Sequence, residues 1–306
     1  MEGTDPGANA GDRARMTSVS EARSGKGHRD ENFPVASWLL SEQRRGPILA
    51  FYRFVRAADD VADHPTLSPE TKLELLDDLD DALTGRGGPA DEAEPLRLEL
   101  AKTGLSPKHA LDLLKAFRLD ARKNRYADWS ELMDYCALSA APVGRFVLDV
   151  HEEDPSMWPA SDALCSALQI INHLQDCAED YKRLDRVYLP LDTLAAHGAS
   201  VEMLDAPKAP PPLRRALAGL AAHTSELVAR GAPLIPQIQD VRLGAEIAAI
   251  HALARRLARD LESRDPLSER VHLSKAGFVL VGGLGAARFL GSAMMRAGRG
   301  RAKATA

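Results

Sequence analysis

Aromatic residues are scarce in this 306-residue chain, at 5%, and cysteine is scarcer still, with three residues. Cys136, Cys165 and Cys177 all fall in helical patterns, with neither a pairing nor a metal-ligand spacing. That excludes a disulfide scaffold and fits a reducing cytoplasm. No convincing run alternates apolar and polar residues, so sheet architectures are not expected. No excess of basic residues is present: the net charge is −5, against a dedicated nucleic-acid binder. No glycine-rich dinucleotide fingerprint follows a strand, and no internal repeat of fixed period is seen. Residues 1–30 are rich in Gly, Ala, Ser, Arg and Asp and lack an apolar core, so they read as a disordered leader and not as a signal peptide.

What the chain does contain is helix. With 45% hydrophobic and 27% charged residues it has the composition of a soluble globular protein large enough to bury a core. Order is expected from about Glu31. The run from Gly46 is helix-periodic, with Pro47 in its first turn and Pro65 just past its end. Ser68-Pro69-Glu70 opens another helix, closed by Gly85, Gly87 and Gly88. Ser106-Pro107 starts the next, through about Lys123. Asp128-Trp129-Ser130-Glu131 has capping-box form and leads into a helix that Pro142 and Gly144 should kink or break. A long helix covers about Pro159–Tyr181, and a short one ends near Gly198. Two more follow the proline-rich link 207–212, at roughly Leu213–Arg230 and Ile235–Arg264. The expectation is an all-α bundle, one domain over residues 31–294 and a basic tail over 295–306.

Two of these helices carry a polar stripe in an apolar setting. In ALQIINHLQDCAEDYKRLDRVYLP, Gln169, Asn172, Asp176 and Asp180 recur at intervals of 3, 4 and 4, on one face, among Leu168, Ile170, Ile171 and Leu174. In FYRFVRAADDVAD, Tyr52, Arg56, Asp59 and Asp63 recur at 4, 3 and 4, flanked by Phe51, Phe54, Val55, Ala58 and Ala62. Asp60 points off this face, as a support for it. A D-x-x-x-D spacing alone means little. Asp77 and Asp81 have the same spacing in LLDDLDDAL, where a solvated helix face is expected.

Four carboxylates facing one cavity repel one another unless cations sit between them. Hard oxygen donors, with Asn172 as a further ligand, select Mg²⁺ over Zn²⁺. Mg²⁺ commonly joins carboxylates to phosphate oxygens, so a diphosphate is the natural ligand, and metal neutralisation makes it a good leaving group. Apolar helix faces would then shelter a carbocation. Arg56 and Arg186 have two open readings, as phosphate clamps or as salt-bridge partners of nearby aspartates, and Tyr52 or Tyr188 could donate to the phosphate. A di-iron bundle would need repeated Glu-x-x-His elements, and only Glu269 and His272 have that form.

The motifs DDVAD and QIINHLQDCAED, followed by RVYLP, resemble those of the squalene/phytoene synthase family, and the resemblance runs from about Glu31 to at least Pro190. ENFPVASWLL, DDVADHPTLSPETKL and YADWSELMDYCALSAAPVGR are similar to one branch of it, the hydroxysqualene synthases (HpnC) of hopanoid pathways. Gln175 stands where the condensing branches generally carry arginine, and the resemblance places it among the substrate-binding residues. The resemblance implies an isoprenoid synthase helical bundle around a central cavity. It implies Mg²⁺–diphosphate held by Asp59, Asp63, Asp176 and Asp180 with Asn172, and Tyr52, Arg56, Arg186 and Tyr188 near the diphosphate. Phe33, Tyr135, Val143, Gly144 and Gln169 would line the prenyl tunnel. The chain departs from the pattern at His173-Leu174, where aromatics are usual, and at Leu184-Asp185, where a glycine often precedes the arginine.

The implied activity is a carbon–oxygen lyase reaction without NADPH, turning presqualene diphosphate into hydroxysqualene. It would work between a presqualene diphosphate synthase and a hydroxysqualene reductase. Condensation of two prenyl diphosphates is the first alternative, and a non-catalytic lipid-binding or assembly protein the second. Such a protein would be expected to lose acids from one motif, and this chain keeps all four. Ala276–Met294 is apolar, with five glycines and Arg288 as its one charge. It reads as a closing bundle helix before a membrane span, with contact at the inner face of the cell membrane as the intermediate case, helped by the basic tail.

Overall fold

A computed structural model describes residues 42–304 apart from residue 89, together with the isolated Val19. The leader and Phe33, with the rest of ENFPVASWLL, lie outside the described residues. The described chain is all-α. Its helices are α1 (Glu42–Ala62), α2 (Pro69–Thr84), α3 (Glu94–Thr103), α4 (Lys108–Asp120), α5 (Trp129–Ser139), α6 (Ala141–Val150), α7 (Trp158–Leu184), α8 (Leu191–Ala196), α9 (Pro211–Gly231), α10 (Val241–Ser263) and α11 (Lys275–Ala304). Among the described residues the only β pairing is an isolated bridge between Arg125 and Val187.

Local chemistry sets most of the boundaries. Ser68 Oγ accepts from Thr71 N–H to cap α2, and Gly85 ends it in the left-handed region at φ 74°. Asp128 caps α5 by accepting from Glu131 N–H at 2.9 Å. The expected break at Pro142 is real and sits at Ala140, so α5 and α6 are separate helices.

Four features differ from expectation. α1 begins at Glu42, placing Pro47 inside the helix, and Arg44 in its first turns is ion-paired to Asp240. α3 has no counterpart in the sequence reading. It is ten residues long, Leu96 and Leu100 are its only buried side chains, and its clear signals are Pro95 at the start and Gly104 at the end. α10 starts at Val241 because Asp240 caps it, accepting from Arg242 and Leu243 N–H. The basic tail expected from residue 295 is helical, as the last turns of α11.

Two buried clusters form the core. One joins α1–α4 to Phe146 and Val150 of α6. The other is built mainly from α5, α7, α9 and α10. They meet around a central cavity, with α4, α6 and α7 as shared walls. Gly144 allows the α6–α7 approach: a Cβ there would stand 2.6 Å from Cys165 Sγ and closer still to Ser161 Oγ.

α7 ends on Asp185, a non-glycine residue at φ 51°. This is where family members often have glycine, and here the carboxylate offsets the backbone cost. Asp185 Oδ1 accepts from Arg125 Nη2 at 2.5 Å, and Asn124 Nδ2 donates to its other oxygen at 3.4 Å. The left-handed conformation costs an alanine about 1–2 kcal/mol and glycine almost nothing. Asp185→Ala should therefore lower the melting temperature by several degrees, whereas Asp185→Gly should stay close to the parent. Equal losses in thermal melts would refute this account.

Candidate functional site

The cavity, of about 610 Å³, is lined by α1, α4, α5, α6, α7 and α10 and by the segment after α7. Helical periodicity brings both polar stripes into it. Tyr52, Arg56, Asp59 and Asp63 line one wall from α1, and Gln169, Asn172, Asp176 and Asp180 line another from α7. Tyr135, Val143, Gly144, Arg186 and Tyr188 join them. The polar residues gather at the C-terminal halves of α1 and α7. Ile48, Phe51, Phe117, Phe146, Leu164 and Ile247 make the remainder apolar. Phe51 and Phe146 stack with ring centroids 4.0 Å apart, closing part of that wall.

Arg186 and Tyr188 reach the site because their segment is extended. Val187 N–H donates to Asn124 O at 2.9 Å and Leu191 N–H to Tyr126 O at 2.9 Å, pinning the strand-like stretch against the link between α4 and α5. Residues two apart then point the same way. Arg186 is buried and ion-paired with Asp63, and its Nη2 donates to Ala62 O at 2.8 Å, at the C-terminal end of α1. Lys72 Nζ donates to the same carbonyl at 2.9 Å. Arg56 lies 3.5 Å from Asp59 and 3.4 Å from Asp60. Both arginines thus hold aspartates at the mouth of the cavity.

The electrostatics are those of crowded acids. Burial, then the neighbouring Asp63 charge, raises the Asp59 carboxyl far above the ordinary range, with Arg56 opposing. Its side chain keeps 38% of its surface open, so cavity water reaches a group otherwise ringed by protein. Burial and the charges of Asp176 and Asp63 push Asp180 up to about 7. Among the described residues no three acids, histidines or cysteines converge as a closed metal cage. That donor set suits a hard ion that keeps water and substrate oxygens in its shell and takes one or two carboxylates from protein. Asp59, Asp63, Asp176, Asp180 and Asn172 fit such an ion in residue type and in facing one cavity.

Two residues were not anticipated. Asp120, on the apolar face of α4 with Leu113 and Phe117, accepts from Tyr135 Oη at 2.8 Å and Tyr188 Oη at 2.9 Å. Burial lifts it to about 6, with the Arg186 charge opposing. Its signal was available: an aspartate at the i+3 position from Phe117 on a stripe that is otherwise core. His173, the departure from the family's aromatics, lines the cavity and stacks on Tyr188 at 3.6 Å between centroids, doing what an aromatic ring would do there. Burial pushes its imidazole down to about 3, so it is neutral.

Gln175 requires a correction. It does not line the cavity. It is buried on a flanking face of α7, where Nε2 donates to Val271 O at 2.5 Å and fastens the segment leading to α11. Asp77 and Asp81 sit on a surface face of α2, paired with Arg118 and Arg86.

Removing Asp120 leaves two buried hydroxyls without their acceptor and Arg186 with less counter-charge. Asp120→Ala should cost about 2–4 kcal/mol in urea unfolding, and Asp120→Asn less. A loss under about 1 kcal/mol, the net worth of one ordinary hydrogen bond, would mean the tyrosines do not depend on it. Asp176→Asn should abolish turnover of a prenyl diphosphate with an unchanged melt, while Asp77→Asn should be silent. An active Asp176→Asn would remove the α7 stripe from the site.

The family model for squalene/phytoene synthase matches residues 27–277. A hydroxysqualene synthase of Rhodopseudomonas palustris is 58% identical over 265 residues, covering 87% of this chain and 91% of that protein. One from Sinorhizobium fredii is 52% identical over 267 residues, with 87% and 91% covered. The crystal structure of squalene synthase HpnC from Alicyclobacillus acidocaldarius superposes with a TM-score of 0.66 at 30% identity, covering 74% of this chain and 86% of that one. With a match across most of its length and a cavity flanked by two acidic helix faces, the chain belongs to the squalene/phytoene synthase family.

Proposed function

We propose that this protein converts presqualene diphosphate and water into hydroxysqualene and diphosphate, with Mg²⁺ as cofactor. The observation that carries the reading is the pairing of 50–58% identity to three hydroxysqualene synthases with a cavity that is acidic at one end and apolar along the rest.

Asp59, Asp63, Asp176 and Asp180, with Asn172, are the residues that would hold Mg²⁺. When bound, the ion neutralises acid and diphosphate charge and makes the diphosphate a better leaving group. The chain's own residues do the rest. Arg56 and Arg186, now held on aspartates, are within the same mouth and can transfer their donors to phosphate oxygens as the acids take up cations. Tyr52 lines that end as a further donor. The C–O bond to diphosphate breaks with its electron pair leaving on oxygen. The cyclopropylcarbinyl cation rearranges to the linear C30 skeleton, water adds, and one proton is lost.

Phe51, Phe117, Leu164 and Ile247 exclude bulk water during the rearrangement, and the rings of Tyr135, Tyr188 and neutral His173 offer π faces to positive charge. Asp120 accepts from both tyrosine hydroxyls, which fixes the position of the two rings.

Purified protein incubated with presqualene diphosphate and Mg²⁺, without NADPH, should yield hydroxysqualene, and chelation should stop the reaction. Recovery of unreacted presqualene diphosphate, together with turnover of farnesyl diphosphate to presqualene diphosphate, would instead assign condensation.

A further inference from the structure

α11 breaks the rule that the other helices obey. It packs on α10 through small residues: a Cβ on Gly285 would lie 2.6 Å from Ala248 O, and one on Gly244 would strike the Phe289 ring. With the small residues and Phe289 turned inward, a row of other large apolar side chains faces out. Val279, Leu280, Leu284, Met294 and Met295 are 71%, 62%, 51%, 74% and 63% exposed. A surface helix of a globular protein has the reverse polarity.

Charge supplies the second observation. The thirty residues of α11 include no acid and six bases: Lys275, Arg288, Arg296, Arg299, Arg301 and Lys303. Where α11 crosses α10, an opening of about 250 Å³ is lined by Arg255, Arg288 and Arg296 beside Ser292. An apolar face bordered by a cationic pocket fits an anionic lipid surface. A second copy of the chain fits poorly, because a two-fold contact would set these bases against themselves.

We propose that α11 docks this enzyme on a bilayer containing anionic phospholipid. The helix lies in the plane of the interface, its outward side chains enter the acyl region, and the arginine pocket takes a lipid phosphate. By length and composition Lys275–Arg296 is apolar enough to cross a membrane. Its inward side, however, is committed to α10 along Gly282, Gly285 and Phe289, which keeps it flat against the protein. The inference stands on surface and charge alone, independently of the reaction.

Flotation of the full chain with vesicles tests it. Wild-type protein should rise with vesicles of equal parts phosphatidylcholine and phosphatidylglycerol, more than with phosphatidylcholine alone, and less as salt is raised. Leu280→Asp/Leu284→Asp, at exposed positions, should stay at the bottom while melting like the parent. Arg255→Gln/Arg288→Gln/Arg296→Gln should weaken binding to the mixed vesicles by roughly a hundredfold, from about tenfold or less per arginine near the surface. Wild type that does not float with mixed vesicles, or a leucine variant that floats equally well, would overturn the proposal. So would light scattering that finds a wild-type dimer which the leucine variant dissolves.

Discussion

The buried guanidinium of Arg186 holds the site together across the two halves of the core. It pairs with Asp63, donates to the last carbonyl of α1, and opposes the burial cost of Asp120. Asp120 in turn fixes Tyr135 and Tyr188, and Tyr188 carries the stacked ring of His173. One cation thus links α1, α4, α5, α7 and the segment after α7. It can do so because the segment after α7 is extended and pinned to the link between α4 and α5. Burying a charge this completely is costly unless it is paired and hydrogen-bonded, which both partners here provide.

The crowding of acids follows from the same economy of space. In the absence of cations, Asp59 and Asp180 are both pushed towards their neutral forms by burial and by other carboxylates. Held in that state, these carboxyls oppose folding at neutral pH, where the unfolded chain ionises them freely. The arginines at the mouth occupy aspartates that would otherwise repel each other. A diphosphate arriving with cations would reverse that pairing without exposing either charge.

The departures from the family pattern turn out to be substitutions of equal physical value. Asp185 replaces a glycine by repaying left-handed backbone with an ion pair to Arg125. His173 replaces an aromatic by stacking as a neutral ring. Gln175 is the counter-case: its place beside the acidic stripe suggested a substrate contact, but the helix turns it away, onto the carbonyl of Val271.

Periodicity was enough to read the all-α class, the two acidic faces, the break at Pro142 and the surface placement of Asp77, because each depends on contacts within a few residues. The short α3 escaped, having only two buried side chains to mark it. So did Asp120, whose partners lie 15 and 68 residues away in the chain. Which way Gln175 points, and that α11 turns Val279, Leu280 and Leu284 outward while burying Phe289, depend on neighbours from distant segments. A helical wheel groups residues by face, and only the packing of other helices decides whether that face meets core, cavity or solvent.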